Sequence, residues 1–216
     1  MLLVNAGLLS AQSERMLTRG ITLEWFNNDG GLSNNAIRCV LQDNKGFLWV
    51  GTDDGVNRYD GYTFTTYRHS PTDSSSLAWH TAASICEDNA GNMWVASPKG
   101  INRFDETRNC FRRFYVTNPM SGKPLGDIDQ ILPAPQGKLH VMCRQSGLFL
   151  YDPMTGVSKH IALADHSISL EEIALDSAGG LWVFAKDRKS LPAEGGITSS
   201  LYYLPPQSET ATDKLL

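Results

Sequence analysis

Ten residues, Asp43-Asn44-Lys45-Gly46-Phe47-Leu48-Trp49-Val50-Gly51-Thr52, return 45 positions later as Asp88-Asn89-Ala90-Gly91-Asn92-Met93-Trp94-Val95-Ala96-Ser97. A weakened copy reads Ala134-Pro135-Gln136-Gly137-Lys138-Leu139-His140-Val141-Met142-Cys143, and a fourth reads Asp176-Ser177-Ala178-Gly179-Gly180-Leu181-Trp182-Val183-Phe184-Ala185. A unit of this length cannot bury its apolar face alone and must stack on copies of itself. Short alternating strands around a repeated Gly-x-x-Trp point to the blades of a β-propeller.

One copy predicts the blade. Ile37–Gln42, Phe47–Thr52, Gly55–Asp60 and Tyr62–Tyr67 read as four strands, the last alternating aromatic residues with Thr. Asp43 can accept backbone N–H groups in the first turn and Gly46 supplies a positive φ, while Asp60-Gly61 turns the chain between the third and fourth strands. Trp49 and Trp94 are large enough to fill the gap between twisted sheets and are read as structural. The second copy runs Thr81–Glu87, Asn92–Ser97, Gly100–Asp105 and Cys110–Tyr115, with Gly55 and Asp60 matched by Gly100 and Asp105. The third runs Ile128–Pro133, Lys138–Cys143, Gly147–Asp152 and Val157–Ile161, with His140 in the tryptophan position. The fourth opens with Leu170–Asp176 and Leu181–Ala185, is interrupted by Lys186–Gly196, and resumes at Leu201–Leu204.

The expected architecture is all-β: about four blades of four antiparallel strands, over 32–68, 77–116, 125–162 and 168–205, forming part of a larger, seven-bladed propeller. Residues 1–21 read as a leader resembling a truncated signal peptide, apolar from Met1 and ending in small residues, and 206–216 as a polar tail. An open array of blades exposes apolar flanks, so further blades or self-association are expected to cover them.

A net charge of -4 and a pI near 5.7 argue against a nucleic-acid partner, and no apolar run is long enough to span a membrane. Cys39, Cys86, Cys110 and Cys143 lack metal-ligand spacing and read as thiols replacing small apolar residues. No metal or cofactor is expected.

The phrases Leu32-Ser33-Asn34-Asn35 with Ile37, Asp43 to Thr52, and Gly55-Val56-Asn57-Arg58-Tyr59-Asp60 closely resemble the two-component regulator propeller repeat. The resemblance covers about 22–185, strong in the first two copies and weak in the third. It implies the periplasmic sensor region of a hybrid two-component histidine kinase and response regulator, from glycan-degrading gut bacteria. The kinase, phosphoacceptor and receiver motifs of such proteins are not in this sequence, so it implies sensing of a glycan or oligosaccharide without catalysis in this segment.

Propeller ligands usually bind where the loops between second and third strands meet the blade-to-blade connections. Here those loops are Asp53-Asp54, Arg68 to His80, Pro98-Lys99, Arg144-Gln145-Ser146 and Lys186 to Gly196. Trp79 and His80 are the candidate ligand contacts, for stacking on a sugar ring, and Arg144 is a candidate partner for an acidic sugar. The simpler reading packs Trp79 against the neighbouring blade and leaves Arg144 solvated. Asp43, Gly46, Trp49, Gly55, Asp60, Asp88, Gly91, Trp94, Gly100, Asp105, Gly137, Gly147, Asp152, Asp176, Gly179 and Trp182 form the structural blade motif. The repeated Asn57-Arg58 and Asn102-Arg103 are read as a turn or inter-blade hydrogen bond. A propeller lyase or glycosidase is the enzyme alternative, and a gene fragment without function a third. His69, His80, His140, His160 and His166 do not recur at one blade position, which disfavours a catalytic cluster.

Overall fold

Alternation of β-branched and aromatic residues gives each short segment two apolar flanks, and four such segments pair into one sheet. The computed structural model describes residues 15–18, 21–144, 146–163, 168–187, 199–206 and 212–213. Blade one is β3 (Ile37–Gln42), β4 (Leu48–Thr52), β5 (Gly55–Tyr59) and β6 (Phe64–Tyr67); blade two is β7 (Ser84–Glu87), β8 (Met93–Ser97), β9 (Gly100–Asp105) and β10 (Cys110–Phe114). Blade three is β11 (Ile128–Ala134), β12 (Lys138–Cys143), β13 (Gly147–Asp152) and β14 (Val157–Ile161). Blade four is β15 (Ile168–Leu175), β16 (Leu181–Asp187), β17 (Ser199–Leu204) and β18 (Thr212–Asp213). Each is an antiparallel meander in chain order, and the four lie as propeller blades. A separate hairpin, β1 (Arg15–Thr18) with β2 (Ile21–Glu24), precedes them, so strand structure begins inside the stretch read as a leader.

The fourth blade differs from its expected outline. Its outer strand comes from the stretch read as a polar tail, with Tyr202 opposite Asp213 and Tyr203 opposite Thr212. The repeat carries no signal for so short an edge strand, which the pairing surface of β17 supplies. Most of Lys186–Gly196, with Gln145, His166 and most of 1–21, lies outside the described residues.

Three cores fill the three gaps between neighbouring blades. Trp49, Val56, Leu77, Ile85, Met93 and Phe111 pack between blades one and two. Trp94, Ile131, Leu139, Phe149 and Tyr151 follow between two and three, and Met142, Leu148, Ile173, Val183 and Tyr202 between three and four. Trp49 and Trp94 face forward: the Trp49 ring meets Phe104 of the next blade edge-on at 5.0 Å, and Trp94 joins the core against blade three.

Equivalent positions show what neighbours do. Val40, Ile85, Ile131 and Ile173 pair in register with Val50, Val95, Val141 and Val183 on the four inner strands. Ile85, Ile131 and Ile173 are 8%, 0% and 1% exposed, covered by the preceding blade, whereas Val40 is 57% exposed. At the other end Trp182 is half-buried where Trp49 and Trp94 are fully buried. Among the described residues, the rearward flank of blade one is therefore uncovered at Val40.

All four cysteines are free thiols. Burial pushes Cys39 up to about 11 and Cys86 and Cys143 up to about 12, which keeps them as thiols at neutral pH.

Candidate ligand-binding face

Two devices hold the loops, and both follow the repeat period. The Asp43 carboxylate accepts the backbone N–H groups of Lys45 at 3.0 Å and Phe47 at 2.9 Å, and the indole N–H of Trp49 at 2.8 Å. Asp88 does the same for Ala90 and Asn92 at 2.9 Å and for Trp94 at 2.8 Å. The aspartate thus folds the hairpin and satisfies a buried indole in one stroke. Asp176 accepts from the backbone of Ala178 and Gly180, and the Gly180 hydrogen bond contributes most to holding its carboxyl below the usual range.

Blade three lacks both halves of this pair. Ala134 stands for the aspartate, His140 for the tryptophan, and a 3-10 turn over Pro135–Gly137 closes the hairpin instead, with Gln136 at a φ of 63°. His140 is buried and its Nδ1 has no hydrogen-bond partner among the described residues. Burial lowers it to about 4, so the ring is neutral near pH 7.

The second device is a buried asparagine. Asn57 Oδ1 accepts the Ser33 N–H at 2.8 Å while its amide donates to the Val50 carbonyl at 3.3 Å. Asn102 repeats this on Ala78 at 2.8 Å and Val95 at 3.1 Å. Each asparagine ties the chain leading into a blade to that blade's own middle strands, so the blade-to-blade loop leaves from a fixed point. Gly55 completes the end, with a φ of 108° and a Cβ site only 2.2 Å from the Tyr67 carbonyl oxygen.

On that anchored loop Trp79 is half-buried and His80 exposed. Their rings lie 5.1 Å apart at centroids, and His69 joins them at 5.7 Å from Trp79 and 4.9 Å from His80. His69 is oriented by the Leu77 carbonyl, 2.7 Å from its Nδ1. The Lys99 ammonium sits over the Trp79 ring at 3.5 Å. Exposed Tyr115 borders the same turn: a Cβ on Gly100 would stand 3.4 Å from its ring. His69, Lys99 and Tyr115 extend the site beyond the two residues singled out in the sequence. Lys99 carried a signal, since it occupies the repeat position of Asp54 with the opposite charge.

Other loop charges are matched. Asp53 holds Arg38 through two bonds of 2.7 and 3.0 Å, and Asp54 holds Arg68 at 2.8 Å. Arg144 stands on blade three, its backbone N–H donating to Asp129 at 2.7 Å and its guanidinium 4.0 Å from the same carboxylate. It is not drawn into the Trp79 cluster.

The opposite, hairpin end holds a cleft of ≈ 260 Å³ between blades one and two, lined by Asp43, Lys45, Arg58, Glu87, Phe104 and Glu106 among others. Its walls are stapled across the blades: Asn44 N–H donates to Glu87 at 2.9 Å and Lys45 pairs with Glu106. The Arg58 guanidinium lies 3.6 Å over the Phe47 ring. Among the described residues no three His, Cys, Asp or Glu side chains gather as a metal site, and no helix is long and apolar enough to cross a membrane.

Comparison with known proteins agrees with the propeller fold. Residues 31–54 match the profile of the two component regulator propeller family. Over 53 residues the chain is 47% identical to histidine kinase P4 of Formosa agariphila, a stretch of 24% of this chain and 4% of that protein. The crystallised extracellular domain of BT3049 from B. thetaiotaomicron, assigned as a hybrid two component system, superposes with a TM-score of 0.65 at 23% identity, over 88% of this chain and 26% of that one. Virginiamycin B lyase from Staphylococcus aureus superposes at 0.60 and 13% identity, over 90% of this chain and 71% of that one, a likeness of fold alone. The chain spans about a quarter or less of the two signalling proteins it resembles. Residues 31–54 of its first blade match a two component regulator propeller repeat, and its four blades share the propeller fold of the BT3049 extracellular domain.

Proposed function

We propose that this chain is the ligand-sensing part of a two-component signalling protein, exposed to the periplasm, and that it recognises a glycan or oligosaccharide without catalysing a reaction. The observation that carries the reading is the coincidence of a two component regulator propeller repeat with an aromatic cluster, Trp79, His69 and His80, on the loop face of the same blades. Buried asparagines anchor that loop, as a recognition surface requires. Ligand binding would be relayed through blade packing or dimer geometry to kinase and phosphorelay parts elsewhere. The exposed flank at Val40 offers a surface for further blades or a second copy.

A lyase reading rests on a shared fold only, and fold does not carry chemistry. Glycan-array binding by the chain, lost on Trp79→Ala with an unchanged melting curve, is the expected result. Signal no higher than background across neutral and acidic glycans would refute the sensing assignment.

A further inference from the structure

Each loop-face carboxylate and guanidinium named above has an opposite charge beside it, and the Lys99 ammonium stands apart from them. Lys99 meets no carboxylate among the described residues; its ammonium rests on the Trp79 ring alone. A cation held by a ring alone, with no carboxylate beside it, is held weakly, and a carboxylate displaces that contact readily. Beneath it lies a half-buried indole face the width of a sugar ring, with the exposed His80 ring 5.1 Å away and exposed Tyr115 beside Gly100, the residue that follows Lys99.

We propose that Trp79, Lys99 and Tyr115 form a subsite for an acidic saccharide: the ammonium swings from the indole to the carboxylate of a uronic acid, and the sugar ring takes its place on Trp79. This deepens the glycan-sensing reading and rests on it. A neutral sugar must displace the ammonium and gives it no partner in return, whereas a uronate does both. Blade one lacks this cation, because its equivalent residue is Asp54, already paired with Arg68.

The test is a titration of the whole chain with oligogalacturonate, oligoglucuronate and oligomannuronate and with their methyl esters, which keep the ring and remove the charge. Indole N–H resonances report binding, with the Trp79 signal identified by Trp79→Phe. The acid forms should shift that signal and bind about tenfold tighter than the esters, with the difference shrinking in 1 M NaCl. Lys99→Met should abolish the difference while leaving weak binding of both forms. Equal affinity for acid and ester, or a preference that survives Lys99→Met, overturns the subsite and leaves glycan sensing standing. No shift with any acid, ester or neutral glycan overturns both.

Discussion

Replacing Asp88 by Ala removes one carboxylate and breaks two structures at once. The indole N–H of Trp94, only 2% exposed, loses its acceptor, as do the turn amides of Ala90 and Asn92. Leaving a buried donor unsatisfied costs about 1–3 kcal/mol, and the half-exposed turn amides, which water can partly serve, add about 1 kcal/mol. A loss near 3 kcal/mol corresponds to a fall in Tm of roughly 6–12 °C for a chain of this size. Burial pushes the Asp88 carboxyl up, but hydrogen bonds from Trp94, Asn92 and the turn backbone outweigh it and hold it below the usual carboxylate range. A depressed folded value means the stabilisation is complete above the unfolded pKa near 4 and is lost as pH falls through the folded value. The gap between wild type and Asp88→Ala should therefore close on acidification below about pH 4. The decisive assay is a denaturant-melt cycle of Asp88→Ala, Trp94→Phe and the double variant, with an expected coupling of about 1–2 kcal/mol. Additivity of the two substitutions within about 0.4 kcal/mol would refute the shared carboxylate–indole bond.

His140 offers a complementary measurement. Its folded value of about 4 lies below the unfolded value of 6.5, so the unfolded chain binds more protons between these limits and stability falls as pH drops from about 6.5 towards 4. His140→Leu should flatten that part of the pH–stability curve and raise Tm slightly at pH 7; an unchanged slope would show that His140 is not the titrating group. For the open flank, Val40→Glu should leave stability within about 0.5 kcal/mol while weakening any self-association seen by light scattering. Ile131→Ala, at the equivalent but covered position, should cost about 2–5 kcal/mol. A large stability loss from Val40→Glu in dilute monomer would mean that the flank is covered within one chain.

The strands of blades one to three were legible because period-two alternation and Asp/Gly turns are local properties. Most boundaries fall within one or two residues of expectation; the first strand of blade two begins at Ser84 rather than Thr81, with the Ala82 N–H donating to the Thr52 carbonyl of blade one instead of into its own sheet. The fourth strand of blade four was not legible, because two residues on a sheet edge carry no pattern of their own. The aspartate–indole bond was legible in hindsight: the one copy without the tryptophan, at His140, is also the one without the aspartate, at Ala134. The tryptophan cluster was half legible. Trp79 and His80 stand out in a loop, but His69 reaches them only through the fold, which also sets Tyr115 beside Gly100.

Repeat length and turn chemistry are enough to dictate four-stranded blades, because each sheet forms from contacts between neighbours in the chain. Which surfaces stay bare is a tertiary matter. Val40 and Ile131 occupy one register position and read alike, yet one is 57% exposed and the other 0%, since burial depends on the blade beside it. The same holds for charge. Lys99 and Asp54 are equivalent in sequence, and only the packing of Trp79 and Arg68 leaves the first resting on a ring and the second in an ion pair.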